Sequence, residues 1–247
     1  MRTIVLVLTL TFSAIYCSEK ETRIVGGEEL DDISNYLFVV ALVNKQGGFA
    51  CGGTLIDSRH IITAAHCLKG TGKVVVGSND LISNGKNYSV KDFISHPNYT
   101  RLPSPANDIA VMILSEDVSE VTEFPKRATA ELNDYDTHCK ALGKGSSSFP
   151  GKPSRKLKLG FVKPIPHSKC QDEWKKFSSD FAVAEKTICT FSDDAAVCMG
   201  DSGSPLLCNE EVTGVVSYLR PCGIGIPDVF TQVYFFNDWI DSVIKDN

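Results

Sequence analysis

Three short segments carry residues suited to nucleophilic catalysis. They are Thr63-Ala64-Ala65-His66-Cys67, Asn107-Asp108-Ile109-Ala110 and Gly200-Asp201-Ser202-Gly203-Ser204-Pro205. A serine hydroxyl is a poor nucleophile at neutral pH and needs a base within hydrogen-bond reach. Histidine, with an unperturbed pKa near 6.5, suits that task. An aspartate can hold the imidazole in the right tautomer and stabilise its charged form. His66, Asp108 and Ser202 follow one another at separations of 42 and 94 residues, in one of the chain orders known for such a triad. Taken alone, His66 reads as a packed or surface histidine, and Asp108 as a solvated loop acid. The Gly-Asp-Ser-Gly run says more. At average residue usage it arises by chance in roughly one chain of this length in several hundred.

Something must bring these segments together, and the local pattern points to strands. Stretches 36–43, 53–56, 59–64, 73–76, 88–93, 110–114, 139–142, 157–162, 204–208 and 211–218 are rich in Val, Ile, Leu and Thr. Those side chains suit a pleated surface. Clusters of Gly, Asn, Asp and Pro separate them every 8–15 residues or so, the rhythm of a sandwich or barrel. Residues 168–177 read as a short helix. Near the C-terminus, Trp239, Ile240, Val243 and Ile244 fall at helical spacing, with Asn237 as a candidate N-cap. Residues 122–136 read as a link between two halves, and 143–154 as an exposed loop. No internal repeat of fixed period is visible.

The composition is that of an ordinary globular chain: 247 residues, 43% apolar, 22% charged, formal net charge −5. Without a basic block there is no electrostatic reason to bind nucleic acid or a membrane surface, and neither is expected as a partner. The nine cysteines show no CxxC spacing, which argues against a zinc ribbon or a thioredoxin-like motif. Arg2, the apolar run 4–15 and the small residues Cys17 and Ser18 describe a secretory signal peptide, assigned to residues 1–17. The run is shorter than the ~20 apolar residues a bilayer span needs. Cleavage after Cys17 or Ser18 leaves eight cysteines in an oxidising compartment, with 105 pairings open. The mature protein is expected to be secreted, soluble and monomeric.

With these segments in hand, the chain resembles the chymotrypsin/trypsin-like serine peptidases over essentially all of residues 24–247. Further matches are Arg23-Ile24-Val25-Gly26-Gly27, Cys51-Gly52-Gly53-Thr54-Leu55, Ser217-Tyr218 and Pro227-Asp228-Val229-Phe230. The resemblance implies an all-β fold: two six-stranded antiparallel Greek-key barrels packed around a cleft, with a short intermediate helix and a C-terminal helix. The N-terminal barrel would span about 24–125, the C-terminal barrel about 126–235 and the helix about 236–247. It implies a secreted serine endopeptidase working through an acyl-enzyme. His66, Asp108 and Ser202 would be catalytic, and the N–H groups of Gly200 and Ser202 would receive the oxyanion. It also implies a propeptide, 18–23, cut after Arg23 by a trypsin-like peptidase. The freed Ile24 amine would then pair with Asp201. Implied disulfides are Cys51–Cys67, Cys139–Cys208, Cys170–Cys189 and Cys198–Cys222. The first closes a loop of about 15 residues, worth roughly 3 kcal/mol in the chain-entropy treatment. Protein or peptide substrates and protein inhibitors are the implied partners. No cofactor and no metal are expected, since only Asn79 and Asp80 offer hard-oxygen ligands where calcium-binding members carry them.

The chain also departs from the family pattern. Ser204 stands where a second glycine is usual. Lys144, where tryptophan is common, reads as a loop-exposed lysine. Ala196, Ser217, Tyr218, Leu219 and Asp228 are the expected substrate-pocket residues. Ala196 at the floor argues against simple trypsin specificity, and Leu219 should narrow the pocket. Asp228 is either a pocket carboxylate that tolerates Lys or Arg, or a solvated loop acid. The expected preference is small-to-medium apolar residues, or these mixed with basic ones. Asn87 and Asn98 begin glycosylation sequons. The alternative function is an inactive homologue that uses the fold as a binding or regulatory module.

Overall fold

The computed structural model describes residues 27–68, 70–192, 195–220, 222 and 225–247. The first barrel forms from β2 (Val39–Asn44), β3 (Phe49–Leu55), β4 (His60–Thr63), β5 (Thr71–Val76), β6 (Lys86–Ser95) and β7 (Ala110–Leu114). These close in the order β2-β3-β4-β7-β6-β5. The second uses β8 (Cys139–Gly143), β9 (Lys158–Ile165), β10 (Thr187–Phe191), β11 (Pro205–Cys208), β12 (Glu211–Tyr218) and β13 (Asp228–Gln232). Its order is β9-β10-β13-β12-β11-β8, closed by the β8–β9 pairing, with β1 (Glu28–Glu29) added at the edge of β9. Both rings therefore share one strand order and are antiparallel throughout. The architecture is the expected pair of six-stranded barrels.

Burial explains why the strands are apolar on both faces in places. All five residues of β7 are buried, because one face fills the barrel and the other meets packed neighbours. The first core joins Leu42, Leu55, Ile62, Val74 and Met112 to Val233, Phe236, Ile240 and Val243 from the far end of the chain. Each such side chain contributes on the order of 2 kcal/mol through burial. The C-terminal helix α2 (Asn237–Lys245) thus docks on the first barrel, not on the barrel that precedes it in sequence. Asn237 is not its N-cap. A 3-10 turn (Val233–Phe236) runs straight into the helix, and Asn237 is already helical. Its side chain instead donates to the Ala128 carbonyl at 2.8 Å and accepts from Arg127 at 2.9 Å. The other helix, α1 (His167–Phe177), buries Cys170 and Trp174. Three strands fall outside the apolar stretches of the sequence: the two-residue β1, β10 and β13. Among the described residues four disulfides are formed: Cys51–Cys67, Cys139–Cys208, Cys170–Cys189 and Cys198–Cys222.

Candidate active site

His66 lies in a 3-10 turn (Ala65–Leu68) directly after β4. The Cys51–Cys67 disulfide ties this turn to β3. Asp108 enters β7 from a left-handed Asn107 (φ +51°). Its carboxylate is 1% exposed and accepts three hydrogen bonds. The His66 backbone N–H reaches Oδ1 at 3.0 Å, His66 Nδ1 reaches Oδ2 at 2.7 Å, and the Ser217 hydroxyl reaches Oδ2 at 2.6 Å. An ionised carboxylate can only accept, so Nδ1 carries the proton and Nε2 is left as the basic nitrogen. Thr231 donates to the Asp108 carbonyl at 2.9 Å. Two strands of the second barrel, β12 and β13, therefore grip an aspartate of the first.

Ser202 sits in the turn before β11. Its carbonyl accepts from Gly52 N–H on β3 at 2.8 Å, another bond between the barrels. Gly203 has φ +79°, and a Cβ there would fall 2.2 Å from Thr63 Oγ1 and 3.2 Å from Ala64 N. The residue after Ser202 is thus pressed against the two residues that lead into His66, and only glycine fits. Gly200 has φ +100° and lies beside Phe49 and Gly145. Ser204, whose hydroxyl has no partner among the described residues, is accommodated because Gly52 leaves room: a Cβ on Gly52 would meet Ser204 Oγ at 1.9 Å. Its backbone is not in the left-handed region, so serine at this position introduces no such strain.

Asp201 is fully buried. Its carboxylate accepts from Gly145 N–H at 2.6 Å and from Cys198 N–H at 2.8 Å. Burial nevertheless pushes its pKa up to about 6. Gly143 and Gly145 both face it: a Cβ on either would come within 2.5 Å of its side chain. Lys144 lies between them and projects the other way, as alternation along extended backbone requires. The sequence reading of an exposed lysine is wrong. Lys144 is 5% exposed, and its ammonium donates to the carbonyls of Ser78 and, at 3.1 Å, Leu81. Burial lowers its pKa to about 8.

Asp228 is buried, and its Oδ2 accepts from the Val197 N–H at 2.8 Å. It therefore lies directly against the turn that carries Ala196, and the solvated-acid reading does not hold. Burial pushes its carboxyl up to about 8. Leu219 packs on the core cluster containing Ala195, Val197 and Val216. Tyr218 is held edge-on by Trp174 at 5.2 Å and Phe181 at 5.6 Å. Trp174 in turn donates to the Pro227 carbonyl at 3.1 Å.

Arg23 and Ile24 lie outside the described residues. The Asn87 and Asn98 side chains are exposed. Among the described residues, ligand atoms of Cys51, His66 and Cys67 lie within 4.8 Å of one another. Both sulfurs are in a disulfide and Nδ1 is engaged by Asp108, so this cluster is not a metal donor set. Sequence reasoning missed Phe49, which lines the Gly200 turn, and the buried Lys158 near Asp201. Lys158, between Leu157 and Leu159, looks like the outward residue of an alternating strand.

Residues 24–240 match the family model described as Trypsin. The chain is 30% identical to the thrombin-like enzyme contortrixobin of Agkistrodon contortrix contortrix, over 91% of this chain and 97% of that protein. It is also 30% identical to kallikrein 1-related peptidase b16 of Mus musculus, over 99% and 98% of the two chains. The structure of mouse neuropsin, described as a serine protease, superposes with a TM-score of 0.79 at 26% identity, covering 88% of this chain and 98% of that one.

Proposed function

Since the chain belongs to the trypsin family and is a serine endopeptidase acting on protein substrates, we propose that it works through Ser202, His66 and Asp108 after secretion as a zymogen. The observation that carries this reading is the threefold-bonded Asp108, which engages His66 Nδ1 and leaves Nε2 as the basic nitrogen, while Gly203, next to Ser202, abuts the residues before the His66 turn. His66 takes the Ser202 proton as the hydroxyl attacks the scissile carbonyl. It returns that proton to the leaving amine, and water then releases the acyl group by the same route. The Gly200 and Ser202 N–H groups face the developing oxyanion. Losing one such donor typically costs about 3 kcal/mol.

Activation follows from cleavage after Arg23. The freed Ile24 amine supplies the cation that a buried Asp201 needs. Arg23→Gln should leave a chain at least tenfold less active than the cleaved one, measured on a peptide substrate. Full activity from the uncut variant sinks the zymogen reading.

The pocket is proposed to favour small-to-medium apolar P1 side chains with some acceptance of Lys and Arg. Ala196 and Leu219 present apolar surface, and Asp228 is protonated over most of the neutral range until a P1 cation draws its proton off. A panel of P1-varied peptides tests this, and strong cleavage after Phe alone refutes it. Secretion is supported by the signal-like residues 1–17, an activator by the Arg23-Ile24-Val25-Gly26-Gly27 motif, and a monomer by a self-sufficient pair of cores. No helix among the described residues is long and apolar enough to cross a membrane. Glycosylation is proposed at Asn87 and Asn98.

A further inference from the structure

Lys144 stands in Gly143-Lys144-Gly145, where neither neighbour has a side chain to restrain the backbone. Whatever fixes this stretch through a side chain must therefore act at Lys144. Its stem is buried, and its ammonium donates charge-assisted bonds to the Ser78 and Leu81 carbonyls, in the loop that joins β5 to β6. Asp80, between those two residues in sequence, adds a favourable field. The receiving loop is itself braced. Leu81 has φ +49°, a left-handed conformation that leucine keeps only where neighbours hold it. Its N–H is taken by the Arg155 carbonyl and its own carbonyl by Lys144. Asn79 donates to the carbonyls of Leu30 at 2.7 Å and Asp31 at 3.0 Å, and accepts from Leu157 N–H at 3.1 Å. Lys144 is thus moored to a loop that two other segments hold.

The two residues after Lys144 carry this anchorage to the turn before Ser202. Gly145 N–H donates to the Asp201 carboxylate at 2.6 Å, and Ser146 N–H donates to the Met199 carbonyl at 2.8 Å. These two bonds fall on either side of Gly200. The Met199 carbonyl and the Gly200 N–H belong to one planar trans peptide, so they point in opposite directions. Holding that carbonyl against Ser146 aims the Gly200 N–H away from residues 145–146. The same peptide turned over would present an oxygen where the reaction needs a donor. We propose that Lys144 positions the oxyanion donor at Gly200: anchored on the Ser78 and Leu81 carbonyls, it holds the Gly145 and Ser146 N–H groups in register with the 199–201 turn. This rests on the catalytic reading given above and names what aims the Gly200 N–H. Lys144 acts through the backbone and is a positioning residue. The 78–81 loop of the first barrel thereby influences turnover in a turn of the second.

The test uses the full chain, cleaved after Arg23, in native, Lys144→Met and Lys144→Gln forms. The readouts are kcat and KM on a peptide amide, per site titrated with a fluorophosphonate, together with affinity for a peptide boronate and Tm. The boronate's tetrahedral adduct on Ser202 presents an oxygen to the oxyanion donors, as the transition state does. Lys144→Met keeps the apolar stem and removes the N–H donors. It should lower kcat per titrated site by about tenfold, less than the outright loss of a donor, and leave KM within about twofold. Boronate affinity should fall by about the same factor as kcat/KM. Lys144→Gln is one atom shorter and uncharged but still donates, so its kcat should fall by about threefold, and it carries the test if the Met variant does not fold. A merely structural lysine would lower Tm and the titratable fraction while kcat per titrated site stayed native, and that result overturns the proposal. So does a loss confined to KM, or a boronate affinity that stays native. Failure of the catalytic reading looks different: the native cleaved chain would itself leave Ser202 unlabelled.

Discussion

In the proposed mechanism much of the chemistry rests on one buried carboxylate, that of Asp108. Its three donors come from the His66 turn and from Ser217 on β12, so its orientation is fixed from both barrels. Ser217→Ala removes a short, charge-assisted bond worth roughly 1.5 kcal/mol or more. It should lower kcat by about tenfold with little change in KM. Asp228 obeys a different logic. The folded chain holds its proton up to about 8, whereas an unfolded chain releases it near 3.8. The folded state therefore binds more protons across that window, and stability falls as pH rises through it. Asp228→Asn should match the native chain in Tm near pH 4 and exceed it near pH 8. The same ionisation should raise the native enzyme's ratio of Lys to Leu cleavage at P1 between pH 6 and pH 9, and Asn should abolish the rise.

At the scale of elements, the Gly143-Lys144-Gly145 stretch joins two otherwise separate loops. Its glycines make space for Asp201 while its lysine binds the Ser78 and Leu81 carbonyls. Lys144→Met leaves those carbonyls unpaired and should cost about 1–3 kcal/mol. The pH dependence is diagnostic. Burial lowers the lysine to about 8 from an ordinary value near 10.5, so between these pH values the unfolded chain binds more protons. The native chain should gain stability across that interval, and the Met variant should lack the gain, as urea titrations at pH 8 and pH 10 can check. Most strands were legible because their apolar residues face a barrel interior, and 110–114 and 211–218 match in full. β10 and β13 were not, because Thr187, Thr190, Asp228, Thr231 and Gln232 interrupt the apolar run while the strand is buried or nearly so. Lys144 and Lys158 were misread or passed over for a related reason. A buried lysine such as Lys144 is recognised by the carbonyls that surround it, and those come from a loop more than 60 residues distant in sequence. The Asn237 cap failed because the preceding 3-10 turn already supplies helical backbone.

At the scale of the molecule, two barrels of one strand order meet so that neither holds the proposed site alone. The first supplies His66 and Asp108, and the second supplies Ser202 and the Ser217 and Thr231 bonds to Asp108. Gly52 N–H on Ser202 O and the Gly203–Thr63 contact set the distance between them. Gly203→Ala should therefore act across the interface. Its methyl would fall within 2.5 Å of Thr63 Oγ1 or Gly52 O in a left-handed backbone, so a loss of more than about 2 kcal/mol of stability is expected, read as Tm, together with loss of turnover. The most direct test of the whole account is covalent labelling of the chain, cleaved after Arg23, with a fluorophosphonate. The account predicts stoichiometric modification of Ser202, abolished by Ser202→Ala and slowed by orders of magnitude in His66→Ala. A folded, cleaved chain that leaves Ser202 unlabelled would contradict it and favour a binding or regulatory module instead.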